Sequence, residues 1–214
     1  MPFCLYAYGQ QLPQQIWHSG EIVLSNGEVI SGKVKYNLET ETVQLNADGM
    51  LKAFGVNQVR EFTINEIRNQ KKRVFQVFLK YNEAGFKRPH FFETLEQGEV
   101  SLFAREYVRY APADFKSRSN RSMRPPMDNH SRKLSKSKNQ VKKELAHKLF
   151  ILNKDGHMIP LGNSAQQVVS VLGQNQRLLR DFIDQEKLRM EDVNDVFRVV
   201  SYYQEVLKSS EDLN

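Results

Sequence analysis

One segment of this chain cannot contribute to a hydrophobic core, and it divides the rest into two parts. Residues 111–140 are rich in serine, asparagine, arginine and lysine, include three prolines, and contain almost no aliphatic side chains. Such a composition buries too little apolar surface to offset the entropy lost on ordering. We therefore expect a disordered linker at 111–140 between two folded parts, residues 17–110 and residues 141–209.

Positive charge is concentrated in the same region. Residues 114–143 carry ten Lys and Arg against two Asp, a local charge of +8 in a chain of net charge +6. The other 184 residues therefore sum to −2. A flexible basic segment attracts polyanions, most strongly at low salt, whereas the alternative is a solvated tether without a ligand. The candidate anion contacts are Arg118, Arg121, Arg124, Arg132, Lys133, Lys136, Lys138, Lys142 and Lys143.

The N-terminal residues 1–11 have the character of a signal-peptide remnant. The first eight are largely apolar, Ala7 and Gly9 are small, and Gln10 would begin a mature chain. This predicts a periplasmic or secreted protein if the native start lies upstream, and a cytoplasmic one otherwise. The alternative for the segment is a first strand or a tail. Cleavage would remove Cys4, the only cysteine, and no apolar run approaches the ~20 residues of a membrane-spanning helix.

Residues 17–110 alternate apolar and polar side chains over short stretches, which is typical of β-strands. Asn26-Gly27 and Asp48-Gly49 are tight-turn signals. Gly32, inside a strand pattern, indicates a bend, a bulge or close backbone approach. Residues 74–81 are apolar on both faces, which favours a central strand. The spacing predicts an antiparallel β-barrel or sandwich.

Residues 141–209 predict a small unit made of a β-hairpin and three helices, so the fold class of the chain is α+β. The hairpin pairs residues 149–152 with 157–161. Ser164 begins a capping-box pattern, Gly173 ends the first helix, and Asn175 caps the second. The third helix follows Glu191-Asp192, and its predicted buried face consists of Val193, Val196, Phe197, Val200, Tyr203 and Leu207.

No catalytic, cofactor or metal motif is recognisable. There is no cysteine pair for zinc and no glycine-rich phosphate loop. Ser164 fits a helix cap better than a nucleophile. Glu93, Glu96 and Glu99 surround a turn and are predicted to face water. The five histidines show no metal-ligand spacing: His18, His90, His130, His147 and His157. We therefore predict a non-enzymatic protein with no catalytic residue, cofactor or metal.

Aromatic residues cluster in the second half of the β region. Core packing is one interpretation, and a stacking platform for bases or sugars beside exposed cations is the alternative. The aromatic residues are Phe75, Phe78, Tyr81, Phe91, Phe92, Phe103 and Tyr107. The neighbouring cations are Lys71, Lys72, Arg73, Lys80, Lys87, Arg88 and Arg105.

Two resemblances bear on function. Residues 19–36, from Ser-Gly-Glu-Ile-Val-Leu to Gly-Lys-Val-Lys-Tyr, resemble the opening strands of SH3-like small β-barrels, including Sm-like RNA-binding proteins. That likeness implies a small barrel, although Asn37-Leu-Glu stands where Sm-like proteins carry an aspartate. The N-terminal segment, the Gly-x-Ile-x-Leu-x-x-Gly stretch and the hairpin followed by helices together resemble uncharacterised exported proteins of Gram-negative bacteria. This second resemblance implies an envelope location and no known activity.

These features predict an exported, envelope-associated binding protein. The β region would form the binding surface, and the linker would contact anionic groups of lipids, polysaccharides or an acidic protein. The alternative is a cytosolic nucleic-acid-binding protein, in which the linker neutralises phosphates and the β region stacks bases.

Overall fold

The computed structural model describes residues 16–66, 70–81, 85–112, 141–152 and 156–211. The first part of the chain supplies eight strands: β1 (His18–Leu24), β2 (Val29–Asn37), β3 (Thr42–Ala47), β4 (Met50–Gly55), β5 (Val59–Glu66), β6 (Lys71–Tyr81), β7 (Lys87–Glu96) and β8 (Ser101–Pro112). The second part supplies β9 (Val141–Leu152), β10 (Met158–Pro160), α1 (Ala165–Leu172), α2 (Gln176–Gln185) and α3 (Val193–Glu211).

All ten strands belong to one antiparallel sheet. Their order is β10-β9-β8-β7-β6-β5-β1-β2-β3-β4. Within the described residues β10 and β4 are the two ends and do not pair with each other, so backbone hydrogen bonds do not close a barrel. The α+β class and the antiparallel strands are confirmed, and β6 is an interior strand as predicted. The closed barrel is replaced by a single open sheet.

The sheet continues from the first part of the chain into the second. β8 and β9 pair along their whole length, from Ser101 opposite Leu152 to Pro112 opposite Val141. The predicted hairpin is confirmed, with Met158 opposite Leu152, but its first strand begins at Val141 rather than near residue 149. The predicted linker overlaps the sheet at residues 111–112, and its remainder lies outside the described residues.

An aromatic core lies on one face of β1 to β7, and the sheet curls around it. The Tyr36 ring of β2 lies 5.5 Å from the Phe91 ring of β7 between centroids, although three strands, β6, β5 and β1, separate β7 from β2 in the sheet order. Phe62 and Phe75 stack with centroids 4.6 Å apart. The buried members of this core are Ile22, Val34, Tyr36, Leu38, Val43, Leu45, Val59, Phe62, Ile64, Phe75 and Phe91.

Polar contacts hold the curl at the tip of the β2–β3 hairpin. Glu41 Oε1 accepts a hydrogen bond from Arg105 Nη2 of β8 at 2.9 Å, and Glu41 Oε2 lies 2.8 Å from His90 Nδ1 of β7. Glu39 pairs with Lys143 Nζ of β9 at 2.8 Å. The hairpin tip is therefore fixed against three strands that it does not pair with in the sheet.

The three helices cover the other end of β8 and β9. Leu102 and Ile151 join the helices in a second core, whose buried helical members are Val168, Val169, Leu172, Leu179, Ile183, Val196, Val199, Val200, Tyr203 and Leu207. The predicted caps of α1 are confirmed: Ser164 Oγ accepts from Gln167 N at 3.3 Å, and Gly173 ends α1 with φ of 83°. Asn175 stands at the N-cap of α2 as predicted, but its side chain makes no capping hydrogen bond. The predicted face of α3 is wrong at Phe197, which is 37% exposed, while Val199 is buried.

Candidate functional site

A groove runs along β9 where the sheet meets the helices. We call it the β9 groove. It has a volume of about 730 Å³, within the usual range of ligand sites. Its described lining residues are Tyr107, Arg109, Leu145, Ala146, His147, Lys148, Leu149, Leu161, Gly162, Asn163, Gln167, Met190, Glu191 and Val193.

The charged side chains of the groove are mainly cationic. Arg109 and Lys148 carry permanent positive charge, whereas Glu191 is the one carboxylate among its described lining residues. Arg109 is exposed and donates a hydrogen bond to Glu144 Oε2 at 2.9 Å. Guanidinium and ammonium groups donate hydrogen bonds to carboxylate, phosphate and sulfate oxygens. The groove is therefore suited to a ligand with negative charge.

A buried charge network lies behind the groove, and His147 connects the two. His147 Nε2 lies 3.1 Å from Glu106 Oε1, and Glu106 also accepts from Arg73 Nη2 at 2.7 Å. Arg73 donates two hydrogen bonds to Glu93, from Nε to Oε1 at 2.8 Å and from Nη2 to Oε2 at 2.6 Å. Arg73 Nη1 also donates to Glu66 Oε1 at 3.3 Å. A buried charge is tolerated only when paired in this way.

The network sets the protonation of its members. Burial on its own raises the pKa of Glu106, but hydrogen bonds from His147 and Arg73 and the charge of Arg73 outweigh it, so this pKa lies below its ordinary value. Burial likewise lowers the pKa of Arg73, but its bonds to Glu93 and Glu106 raise it above the ordinary value. Glu106 is therefore an ionised acceptor that orients His147 at the groove wall.

Glu93 corrects a prediction from the sequence. The sequence predicts that Glu93 faces water beside the turn at 97–98, but the residue is only 4% exposed. It is buried because it lies on the same face of the sheet as the aromatic core, opposite Phe75, where Arg73 neutralises it. Glu96 and Glu99 lie nearer the turn; Glu99 is exposed and Glu96 is half-buried.

Of the nine candidate anion contacts, only Lys143 has a described side chain. It is exposed and is bound to Glu39, while its Nζ lies 5.5 Å from the centroid of the Tyr110 ring. Lys142 is part of β9 in its backbone. The side chain of Lys142 and all of Arg118, Arg121, Arg124, Arg132, Lys133, Lys136 and Lys138 lie outside the described residues.

Core packing accounts for most of the aromatic cluster. Phe75, Phe91, Phe92 and Phe103 are at most 2% exposed, so their rings are closed to a stacking base. Two of the neighbouring cations, Arg73 and Arg105, are used in internal pairs with Glu93 and Glu41. Lys80 and Lys87 line a second groove of about 680 Å³ with the half-buried Phe78 and with His157.

The residues of the β9 groove were not identified from the sequence. In the sequence, His147 is one of five histidines without metal-ligand spacing, and Tyr107 is one member of the aromatic cluster. The available signal was the run of basic residue types Lys142, Lys143, His147 and Lys148, once residues 141–148 are recognised as a strand. Within the described residues no three His, Cys, Asp or Glu side chains are placed to hold a metal ion.

Among the helices that the structure describes, none is long and apolar enough to cross a membrane. Comparisons of the chain with protein-family models, with curated proteins and with solved structures found no match.

Proposed function

We propose that this is a non-enzymatic binding protein for an anionic partner, and that the β9 groove is its main binding surface. The observation that carries the proposal is the grouping of Arg109 and Lys148 around one groove with a single described carboxylate, Glu191. Cations along a concave surface focus the electric field and raise the local concentration of anions.

The basic segment supports the same function. It runs directly into β9, because Lys142 and Lys143 are its last cations and also residues of that strand. Its excess of eight positive charges would therefore be tethered next to the groove. A tethered polycation increases the capture rate of a polyanion without adding a specific contact.

An envelope location is part of the proposal, and residues 1–11 and the resemblance to exported proteins motivate it. The candidate ligands there are anionic lipids, acidic polysaccharides and acidic proteins.

Strands β1 to β5 pair in the order β5-β1-β2-β3-β4, which is consistent with the SH3-like resemblance of residues 19–36. Fractionation of cells expressing the native gene tests the location; an intact chain found only in the cytosol overturns it.

The binding proposal is tested by titrating the full chain with four anions: an acidic peptide, a sulfated polysaccharide, vesicles of anionic lipid and single-stranded RNA. The test variant is Arg109→Gln/Lys148→Gln. The matched control is Lys33→Gln/Arg60→Gln, which removes the same charge from exposed positions on β2 and β5.

We expect the groove variant to lose at least about tenfold in affinity for the preferred anion, with the control near wild type. Binding should weaken as salt rises. Equal losses in both variants would mean that net charge alone attracts the ligand, and would overturn the groove. Preference for RNA, lost on neutralising Arg132, Lys133, Lys136 and Lys138, would favour the nucleic-acid alternative.

A further inference from the structure

We infer that the partner of the β9 groove is a polypeptide segment in extended conformation, with acidic side chains alternating with apolar ones, that adds as a strand to the open edge of β9. The inference rests on the proposed function and specifies the partner of the same groove. Strand addition to an exposed sheet edge is a common mode of peptide recognition, in which backbone hydrogen bonds supply affinity and side-chain pockets supply specificity.

The edge of β9 is open over most of its length. β9 pairs with β8 at every position, but β10 covers only Phe150, Ile151 and Leu152 on the other side. One further bond follows, from Leu161 N–H to Leu149 C=O at 2.9 Å. Toward Val141, no other backbone hydrogen bond to a described residue forms on that side of β9.

The ladder identifies which backbone groups face outward. In an antiparallel pair, residues alternate between those whose N–H and C=O both point to the partner strand and those whose groups point away. Leu149 C=O points away from β8, because it bonds Leu161. The register of β8 and β9 is continuous, so the N–H and C=O of His147, Leu145 and Lys143 point away from β8 as well. These groups offer the donors and acceptors that an added strand requires.

The open edge is long enough for a short added strand. From Lys143 to Leu149 the edge is about 20 Å long at ~3.4 Å per residue. Leu161, Asn163 and Gln167 stand on one side of it, together with Met190 and the residues that lead into α3. An added segment of about six residues would lie between this wall and the edge.

The two sides of the groove specify different side chains. Leu145 and Leu149 lie on the core-facing side of β9, where Leu149 packs against the helical core and Leu145 against the aromatic core. Leu161 and Met190 line the same groove. Lys148 lies on the opposite face, where β8 contributes Arg109 and Tyr107. Because successive side chains of a strand point to opposite faces, the partner would alternate apolar residues with acidic ones.

Charge argues against two other occupants. The chain's own segment 113–140 carries eight Lys and Arg against two Asp, and like charges on neighbouring strands are destabilising. Pairing of β9 with β9 of a second copy would place Lys142, Lys143, His147 and Lys148 of both strands together against a single glutamate on each. An acidic partner strand would not suffer this repulsion between like charges.

The test uses the full chain and an acetylated eight-residue peptide that alternates Glu and Val. Its matched control has the same sequence with alternate backbone nitrogens methylated, which removes the N–H donors of one edge and leaves the charges unchanged. Both registers of methylation are made, so that one of them blocks the edge that faces β9. Affinity is measured by calorimetry, and amide hydrogen exchange is followed residue by residue by NMR.

We expect the unmethylated peptide to bind, at least one methylated form to bind at least about tenfold more weakly, and the amides of Lys143, Leu145 and His147 to become protected on binding. Equal affinity of all three peptides, with Arg109→Gln/Lys148→Gln still weakening them, overturns strand addition while anion binding survives. No binding to any anion overturns both. Protection of these amides without peptide also overturns the inference. If that protection rises with protein concentration, a second copy of the chain occupies the edge of β9. If it is independent of concentration, another segment of the same chain occupies the edge.

Discussion

His147 Nε2 lies 3.1 Å from Glu106 Oε1, and this contact joins the wall of the β9 groove to a carboxylate whose side chain is only 2% exposed. Glu106 in turn contacts Arg73, which contacts Glu93 and Glu66. A side chain that a ligand would meet is thus positioned by charges from β5, β6, β7 and β8. The orientation of His147 at the groove wall therefore depends on the charge network behind it.

Replacement of Arg73 by methionine should be strongly destabilising. Arg73→Met keeps an apolar stem of similar length but leaves Glu93 and Glu106 buried without their main cation. We expect the free energy of unfolding to fall by about 3–5 kcal/mol, as measured by urea denaturation at pH 7. The control Lys72→Met alters an exposed neighbour on the same strand and should change it by under ~0.5 kcal/mol. A similar small effect at both positions would contradict the account of the network.

Stability should fall in acid partly through Glu106. The pKa of Glu106 is lower in the folded chain than its ordinary value of 4.5. The carboxylate therefore contributes its full stabilisation above that pH and loses it as the pH falls through the folded pKa, since the unfolded chain takes up the proton first. Urea unfolding between pH 7 and pH 3 should show a shallower acid loss in Glu106→Gln than in wild type. Glu28→Gln, in the exposed β1–β2 turn, should follow the wild-type profile.

Local signals in the sequence were sufficient for the helices and for most strands. Ser164 and Gly173 mark the ends of α1 because capping depends on residues within one turn of the helix. Alternation identified the strands up to β8 for a similar reason, since each strand carries its own pattern. The Asn26-Gly27 turn likewise depends on two adjacent residues.

The open sheet and the groove depend on contacts between residues far apart in sequence. Glu93 is buried because Arg73, on the neighbouring strand, neutralises it, and no local pattern indicates that partner. The first half of β9 was missed because His147 occupies an inward position where an apolar residue would have continued the alternation of Leu145 and Leu149. Its partner Glu106 lies 41 residues away. The sequence pattern also could not show whether the sheet closes on itself.

Glu41 should contribute more to stability than its neighbour Glu39. Glu41 is partly buried and contacts both His90 and Arg105, whereas Glu39 forms an exposed contact with Lys143. Glu41→Gln should lower the free energy of unfolding by about 1.5–3 kcal/mol, since hydrogen bonds to charged groups are the stronger ones. Glu39→Gln should cost clearly less than Glu41→Gln, because exposed ion pairs are screened by solvent and contribute little to stability. Denaturant unfolding of the two variants side by side measures the difference, and equal losses would show that the hairpin tip is not held by Glu41.

The last prediction concerns the packing of β2 on β3. A Cβ on Gly32 would lie 2.6 Å from the backbone oxygen of Asn46, so the close approach that its place in a strand indicated is confirmed. Gly32→Ala must push the two strands apart, and we expect a loss of about 1–3 kcal/mol.

Gly55 provides the matched control at the end of β4, because the nearest atom to its added Cβ is a glutamine side-chain oxygen at 3.9 Å. Gly55→Ala should be neutral or slightly stabilising, since it mainly restricts the unfolded chain. Amide hydrogen exchange shows whether a loss of stability in Gly32→Ala is local to the β2–β3 contact or is spread over the whole sheet. Faster exchange confined to β2, β3 and β4 would locate the damage at the β2–β3 contact, whereas a uniform increase over the whole sheet would show that the strands yield together and that the contact is not a local constraint.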